Sequence, residues 1–330
     1  MTCPNQIIIK NKSTGEWITI PCNKKGCTAC DQRKIDRLQM ETGLYTRYEN
    51  VTSINTLLLT VADEHQTINE ENGKWELNKK QVDTFKRIAK QFQRREWIKT
   101  KKKIETFNLL HPNHKRQIPE YKEVKFEIAG EYSPDSKRPH YHGLMLNATT
   151  ELIKHLTKKL VYNKYGNVMY LTPLWPHGMI GVKNAMGKPE AALRYITKYI
   201  TKAGSIAYTT ANNLQKEFFS KPRGLTKKYL SLLEAYHKDR LTSQIKVGYK
   251  SNGQPKFRNM TRLMRKQIFT PGENEEITKQ LIEKSTTAIE AQLQEIRQEG
   301  YTNPEQQLRI REQHKAKMIK KKFHTRKQHA

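Results

Sequence analysis

The chain of 330 residues carries 61 lysines and arginines against 32 acids, a formal net charge of 61 − 32 = +29. That balance points to polyanionic partners: nucleic acid first, because each neutralised phosphate releases condensed counterion, and an anionic membrane surface second. No apolar run reaches the roughly 18 residues of a spanning helix, and the first residues lack a basic-then-apolar signal segment, so no membrane role and a cytoplasmic location are expected.

Residues 1–45 read as a small cysteine-rich unit. Ile7–Ile9 and Trp17–Ile20 are two short strands around the turn-forming Asn11–Gly15. Cys22, Cys27 and Cys30 follow, and Cys3 precedes the hairpin. In a reducing compartment such cysteines suggest metal or free thiol rather than disulfide. They are candidate ligands of a structural Zn²⁺; the alternative is a set of solvent-near thiols in a turn.

Residues 46–205 read as the main domain. Ser53–Val61 is a short apolar run with β-branched residues, a buried strand. Residues 79–103 place Val82, Phe85, Ile88, Ala89 and Phe92 on one stripe, an amphipathic helix. Val124–Tyr132 and His140–Leu146 form a hairpin across the turn-rich Ser133–Pro139. Glu151–Val161 reads as a helix, Met179–Val182 as a strand and Glu190–Lys202 as a helix with Pro189 near its start. The order predicts an α+β fold, a central antiparallel sheet with flanking helices. Residues 206–330 read as a helical extension, with helical stretches within 216–238 and 275–298 and a basic tail from Lys315 to Ala330.

Two features carry chemistry. His140 and His142 lie at i and i+2 on a strand and so share a face. Glu131, nine residues before His140, can be folded back beside them by the hairpin, and Asp135 in the turn is a weaker third candidate. Two imidazoles and a carboxylate suit Mn²⁺ or, less tightly, Mg²⁺. Tyr195 and Tyr199 lie at i and i+4 on a helix and point the same way. Lys198 and Lys202 follow them at i+3, able to steady phenolate character or hold a phosphate. The bland alternatives are an exposed histidine pair on a strand and two tyrosines on an amphipathic core helix. Lys101, Lys102, Lys103 and Arg194 are candidate phosphate contacts. Trp97, Tyr141, Tyr208 and Trp175 are candidate stacking residues, with core packing favoured for the tryptophans.

These segments resemble the replication initiation proteins of microviruses, small single-stranded DNA phages, in the gokushovirus-like branch of the HUH endonuclease superfamily. Leu57–Val61 resembles the first motif, with Leu59 where threonine is common. Gly130-Glu131-Tyr132 with Arg138–Gly143 resembles the second, and Trp175–Gly178 the lead-in to the third. Tyr195–Lys202 resembles the third in its two-tyrosine form, and Cys3 with Pro21–Cys30 resembles the family's opening, though with looser cysteine spacing. The resemblance spans about residues 1–205 and implies an HUH palm, RRM-like, over 46–205. It implies rolling-circle initiation. One tyrosine nicks single-stranded origin DNA and keeps the 5′ phosphate, and the second closes the circle. A divalent cation, a bacterial host cytoplasm, a host helicase and a host polymerase go with it.

Gly181–Pro189 is a near miss for a phosphate-binding loop, with one residue too many and no Ser or Thr after Lys188, so no helicase activity is expected. A rival reading remains from another class: a non-catalytic basic single-stranded DNA binding or packaging protein. It accounts for charge and cysteines but not for the two motifs.

Overall fold

The computed structural model describes residues 7–10, 17–20, 22, 27–187, 189–200, 206–249 and 252–325. Its first elements are β1 (Ile7–Lys10), β2 (Trp17–Ile20), α1 (Thr28–Tyr48), β3 (Ile54–Thr60), β4 (Thr67–Ile68), β5 (Trp75–Glu76) and α2 (Lys79–Leu110). Then come β6 (Lys125–Tyr132), β7 (Pro139–Leu146), α3 (Thr150–Leu156), β8 (Lys159–Tyr162), β9 (Val168–Thr172), β10 (Trp175–Asn184), α4 (Pro189–Ile200), α5 (Ile206–Ala211) and β11 (Phe218–Ser220). The chain continues with α6 (Lys227–Asp239), β12 (Gln244–Tyr249), β13 (Pro255–Asn259), α7 (Arg262–Ile268), α8 (Pro271–Gln298) and α9 (Pro304–Thr325). It forms two compact units: Asn50–Arg223, and Met1–Glu49 together with Gly224–Ala330. This grouping differs from the three consecutive segments read from sequence.

In the Asn50–Arg223 unit a seven-stranded antiparallel sheet runs in the order β11, β6, β7, β3, β10, β9, β8. The α+β architecture with a central antiparallel sheet is as expected. One face carries Leu57, Leu59, Ile128, Tyr141, Met145 and Ile180, packed with Val82, Phe85 and Ala89 of α2 and Leu152 and Leu156 of α3. Period 2 along each strand sends the neighbouring residues to the other face, where α4 packs on β3, β6 and β7.

Polar groups pin α2 to the sheet. Asn78 caps it, its side chain accepting from Gln81 N–H at 3.1 Å. The Tyr141 hydroxyl accepts from Asn78 N–H at 2.9 Å. Buried Gln93 donates to the carbonyls of Lys122 and Asn147, both at 2.8 Å, and accepts from Thr149 N–H at 3.0 Å. Tyr141 and Trp175 are each 1% exposed, so they are core residues and not base-stacking surfaces. The Trp175 indole donates to the Thr60 carbonyl at 2.8 Å.

Several segments differ from the sequence reading. The helix expected over Glu151–Val161 ends at Leu156, and Lys159–Tyr162 pairs instead with Val168–Thr172 as a hairpin. Leu-Val-Tyr favours a pleated surface once a partner strand exists, and β9 supplies one. A 21-residue helix, α1, fills much of the expected cysteine-rich unit. In its unit Met40 and Leu44 of α1 pack with Tyr229, Leu230, Ile245, Met264, Ile268 and Ile277. An ion pair joins Arg258 to Asp36 at 2.7 Å. The basic tail lies partly in α9, which extends to Thr325.

Gly178 marks the tightest approach of two strands. A Cβ there would lie 2.5 Å from the Thr60 carbonyl oxygen and 3.0 Å from Ala62 N, both backbone atoms. Gly178→Ala should therefore push β10 off the end of β3 and destabilise the fold by about 1–3 kcal/mol, the usual penalty of overpacking. A urea titration should show the lower midpoint; an unchanged midpoint contradicts the close approach.

Candidate active site

The hairpin of β6 and β7 sets the site. In its register Glu131 faces His140 and Ala129 faces His142, while β3 places Thr60 beside His140 and Leu58 beside His142. Glu131, His140 and His142 thus emerge on the face opposite Tyr141. Their ligand-capable atoms all lie within 4.8 Å of one another. Glu131 Oε1 is 2.9 Å from His140 Nε2 and 3.3 Å from His142 Nε2. Donors about 2.1 Å from an octahedral ion sit roughly 3 Å apart along an edge, so the spacing fits a divalent cation.

The rings are oriented from behind. His140 Nδ1–H donates to the Arg138 carbonyl at 3.2 Å, which leaves Nε2 as the lone-pair nitrogen facing Glu131. His142 turns Nδ1 to the Tyr195 hydroxyl at 2.7 Å and Nε2 to Glu131. Arg138 is itself held by the Val61 carbonyl at 3.1 Å, by an ion pair to Asp63 and by the Trp75 ring 5.2 Å away. Sequence reasoning missed this positioning role. The only signal was the place of Arg138 two residues before His140.

α4 brings both tyrosines to this point. Ala192 and Ile196 are buried one helical turn apart, and Tyr195 and Tyr199 adjoin that stripe. The Tyr199 ring stacks on His142, with centroids 3.6 Å apart and planes within 5°. The Tyr195 and Tyr199 rings meet edge-to-face at 5.1 Å. Burial pushes both phenols up: Tyr199 to about 12, with Glu131 adding to the rise, and Tyr195 further, with Tyr199 adding to it. Both are neutral in this arrangement near pH 7.

Other expected residues fall elsewhere. Lys101, Lys102 and Lys103 lie on α2, the helix of the opposite face, where Lys101 pairs with Glu105 at 3.5 Å. Asp135 lies in the β6–β7 turn and does not join the metal-capable group. Lys202 and Cys3 lie outside the described residues, as do the side chains of Arg194 and Lys198.

The other unit holds a second cluster. Cys22, Cys27 and Cys30 are buried, not solvent-near, and their sulfurs lie within 4.8 Å of one another. Cys22 Sγ and Cys30 Sγ are 3.6 Å apart, too far for a disulfide and close to the roughly 3.8 Å edge of a zinc–thiolate tetrahedron. Arg33 donates to Cys30 Sγ at 3.2 Å, a contact that favours thiolate.

Residues 56–204 match the family model of the ORF2-type replication-associated proteins. The matched span begins in β3 and includes Glu131, His140, His142, Tyr195 and Tyr199, and it supports a role in replication and an association with DNA. No curated protein and no solved structure matches the chain.

The two clusters predict separate metal behaviour. Mn²⁺ titration followed by electron paramagnetic resonance should show one site, weakened at least about tenfold by Glu131→Gln or His140→Ala. Undiminished binding in both variants contradicts the ligand set. Metal analysis of the purified chain should find about one Zn²⁺, lost in Cys30→Ser with a fall in melting temperature; a zinc-free, equally stable wild type contradicts the thiolate site.

Proposed function

We propose that the chain is a rolling-circle replication initiator, a metal-dependent HUH-type endonuclease that nicks and rejoins single-stranded origin DNA through Tyr195 and Tyr199. The observation that carries this reading is the convergence of Glu131, His140 and His142 with both phenols on one face of the sheet. The match of residues 56–204 to a replication-associated family supports it.

One phenolic oxygen attacks the scissile phosphorus, the bond to the 3′ oxygen breaks, and that oxygen leaves as a 3′-OH after taking a proton. The 5′ phosphate stays on the tyrosine. The second tyrosine cuts the regenerated origin, and the freed 3′-OH attacks the first phosphotyrosine to close the circle. Each step exchanges one phosphodiester for another, so no nucleotide hydrolysis is required. A divalent ion, Mg²⁺ or Mn²⁺, bound by Glu131, His140 and His142 would stabilise charge on the phosphate oxygens. His142 holds the Tyr195 oxygen at 2.7 Å and stacks under Tyr199, so one imidazole positions both nucleophiles beside the ligand set. Lys198, Lys202 and Arg194 would hold the phosphates flanking the nick. With no nucleotide-hydrolysing motif in the sequence, duplex opening and synthesis fall to a helicase and polymerase of the bacterial host, in whose cytoplasm the protein would act.

The rival, a non-catalytic packaging protein, shares the charge but forms no covalent bond to DNA. Incubation with labelled single-stranded origin DNA and Mn²⁺ should give a band that moves with the protein on a denaturing gel and maps to Tyr195 or Tyr199. Tyr195→Phe and Tyr199→Phe should each keep partial nicking and lose circle closure, and the double variant should form no adduct. His142→Ala should cut the nicking rate at least about a hundredfold. Binding without adduct under any metal favours the packaging role.

A further inference from the structure

The β8–β9 hairpin, at the edge of the sheet, has a composition the nicking chemistry does not use. β8 is the terminal strand of the sheet and pairs with β9. In that register Tyr162 faces Val168 and Leu160 faces Tyr170, so these four share one face. Tyr170 packs against the core shared with α2 and α3, which places the strip on the face away from Tyr195 and Tyr199. Beyond Tyr170 the strip is open: Tyr162 is 67% exposed, Leu160 51% and Val168 45%. At the turn, Tyr165 is 75% exposed. It is held out by a built loop. Asn163 Oδ1 accepts from Tyr165 N–H at 2.9 Å and from Asn167 N–H at 3.0 Å, and Gly166 takes a φ of +74°.

The charges around the strip have one sign. No acid occurs between Glu151 and Glu190, while Lys154, Lys158, Lys159, Lys164, Lys183 and Lys188 do. Lys158, Lys159 and Lys164 are exposed on the hairpin itself, and Lys164 Nζ lies 5.0 Å from the Tyr165 ring. Lysines alone on an edge strand are a common guard against sheet-to-sheet pairing. A guard has no need of exposed aromatic rings, which raise the hazard that lysines lower. A second copy of the chain would set these lysines against their own kind. Cations beside open aromatic faces are instead the pattern that takes phosphates and stacked bases together, and base faces are available in single strands and hidden in a duplex.

We propose that the β8–β9 hairpin is a second, metal-independent contact for single-stranded DNA, with bases stacked on Tyr162 and Tyr165 and phosphates on Lys158, Lys159 and Lys164. The proposal rests on the reading of the chain as a single-strand DNA protein and extends it. The hairpin lies on the face away from the tyrosines, so it holds DNA flanking the nick and not the scissile nucleotides.

The test is fluorescence anisotropy of a labelled oligo-dT of about 40 nucleotides with the full chain and no added divalent ion. Tyr162→Ala/Tyr165→Ala should weaken binding about tenfold or more, while Tyr162→Phe/Tyr165→Phe keeps wild-type affinity, since stacking needs the ring and not the hydroxyl. Binding to duplex of the same length should be unchanged in both. Lys158→Glu/Lys159→Glu/Lys164→Glu should flatten the dependence of affinity on salt. That triple variant decides the matter if the alanine variant melts early. Unchanged oligo-dT affinity in the alanine and glutamate variants overturns the proposal. So does a loss seen only with anionic vesicles, or a change of oligomeric state without a change in DNA affinity. Adduct formation on a short origin oligonucleotide, scored in parallel, separates the two ideas. No adduct with a stacking-dependent affinity defeats the nicking chemistry alone, and adduct with no such dependence defeats the hairpin contact alone.

Discussion

Glu131 is the point on which the site depends. Its side chain is 1% exposed between two imidazoles, on a strand whose neighbours are apolar. A buried carboxylate is costly unless cations or donors surround it, so its place requires both histidines and favours a bound cation. That demand ties three strands together. β6 supplies the acid and β7 the imidazoles. β3 closes the other side of β7, with Thr60 and Leu58 beside His140 and His142.

The tripeptide His140-Tyr141-His142 shows how one strand serves two layers. Alternation sends both histidines to the α4 face and Tyr141 into the core, where burial pushes its phenol up to about 12 and its hydroxyl meets the first turn of α2. The same residue that stiffens the fold therefore fixes the pitch of the strand that carries the site. From the other side α4 answers with Tyr195 on His142 Nδ1 and Tyr199 on its ring. The proposed nucleophiles and ligands are held by one packing arrangement, so a shift of α4 moves both.

The second unit illustrates a different economy. Its described elements draw on both ends of the chain, and its core is assembled from α1 together with α6, β12, α7 and α8. The three buried cysteines cluster at the start of α1, where Cys27 takes the N-cap position. A thiolate–metal cluster would brace a helix start that lacks a side-chain cap. The charge of +29 is spread over the whole sequence, as suits contact with a long polyanion rather than a small ligand.

By itself the sequence determined what depends on short periods. Those were the strand over 54–60, the α2 stripe, the β6–β7 hairpin, and the sharing of a face by His140 with His142 and by Tyr195 with Tyr199. Local sterics and side-chain alternation settle these without distant help. It also determined the sign and scale of the charge. Only the tertiary structure decided that residues 159–162 pair as a strand, because the β propensity of Leu-Val-Tyr is realised only against β9. Only tertiary structure joined the two chain ends, since contacts such as Arg258 with Asp36 span more than two hundred residues and leave no periodic trace. The same holds for the meeting of α4 with β7 and for the carbonyl of Arg138 that turns His140. Each needs a partner far along the chain, and one sequence read alone carries no record of which distant surfaces will meet.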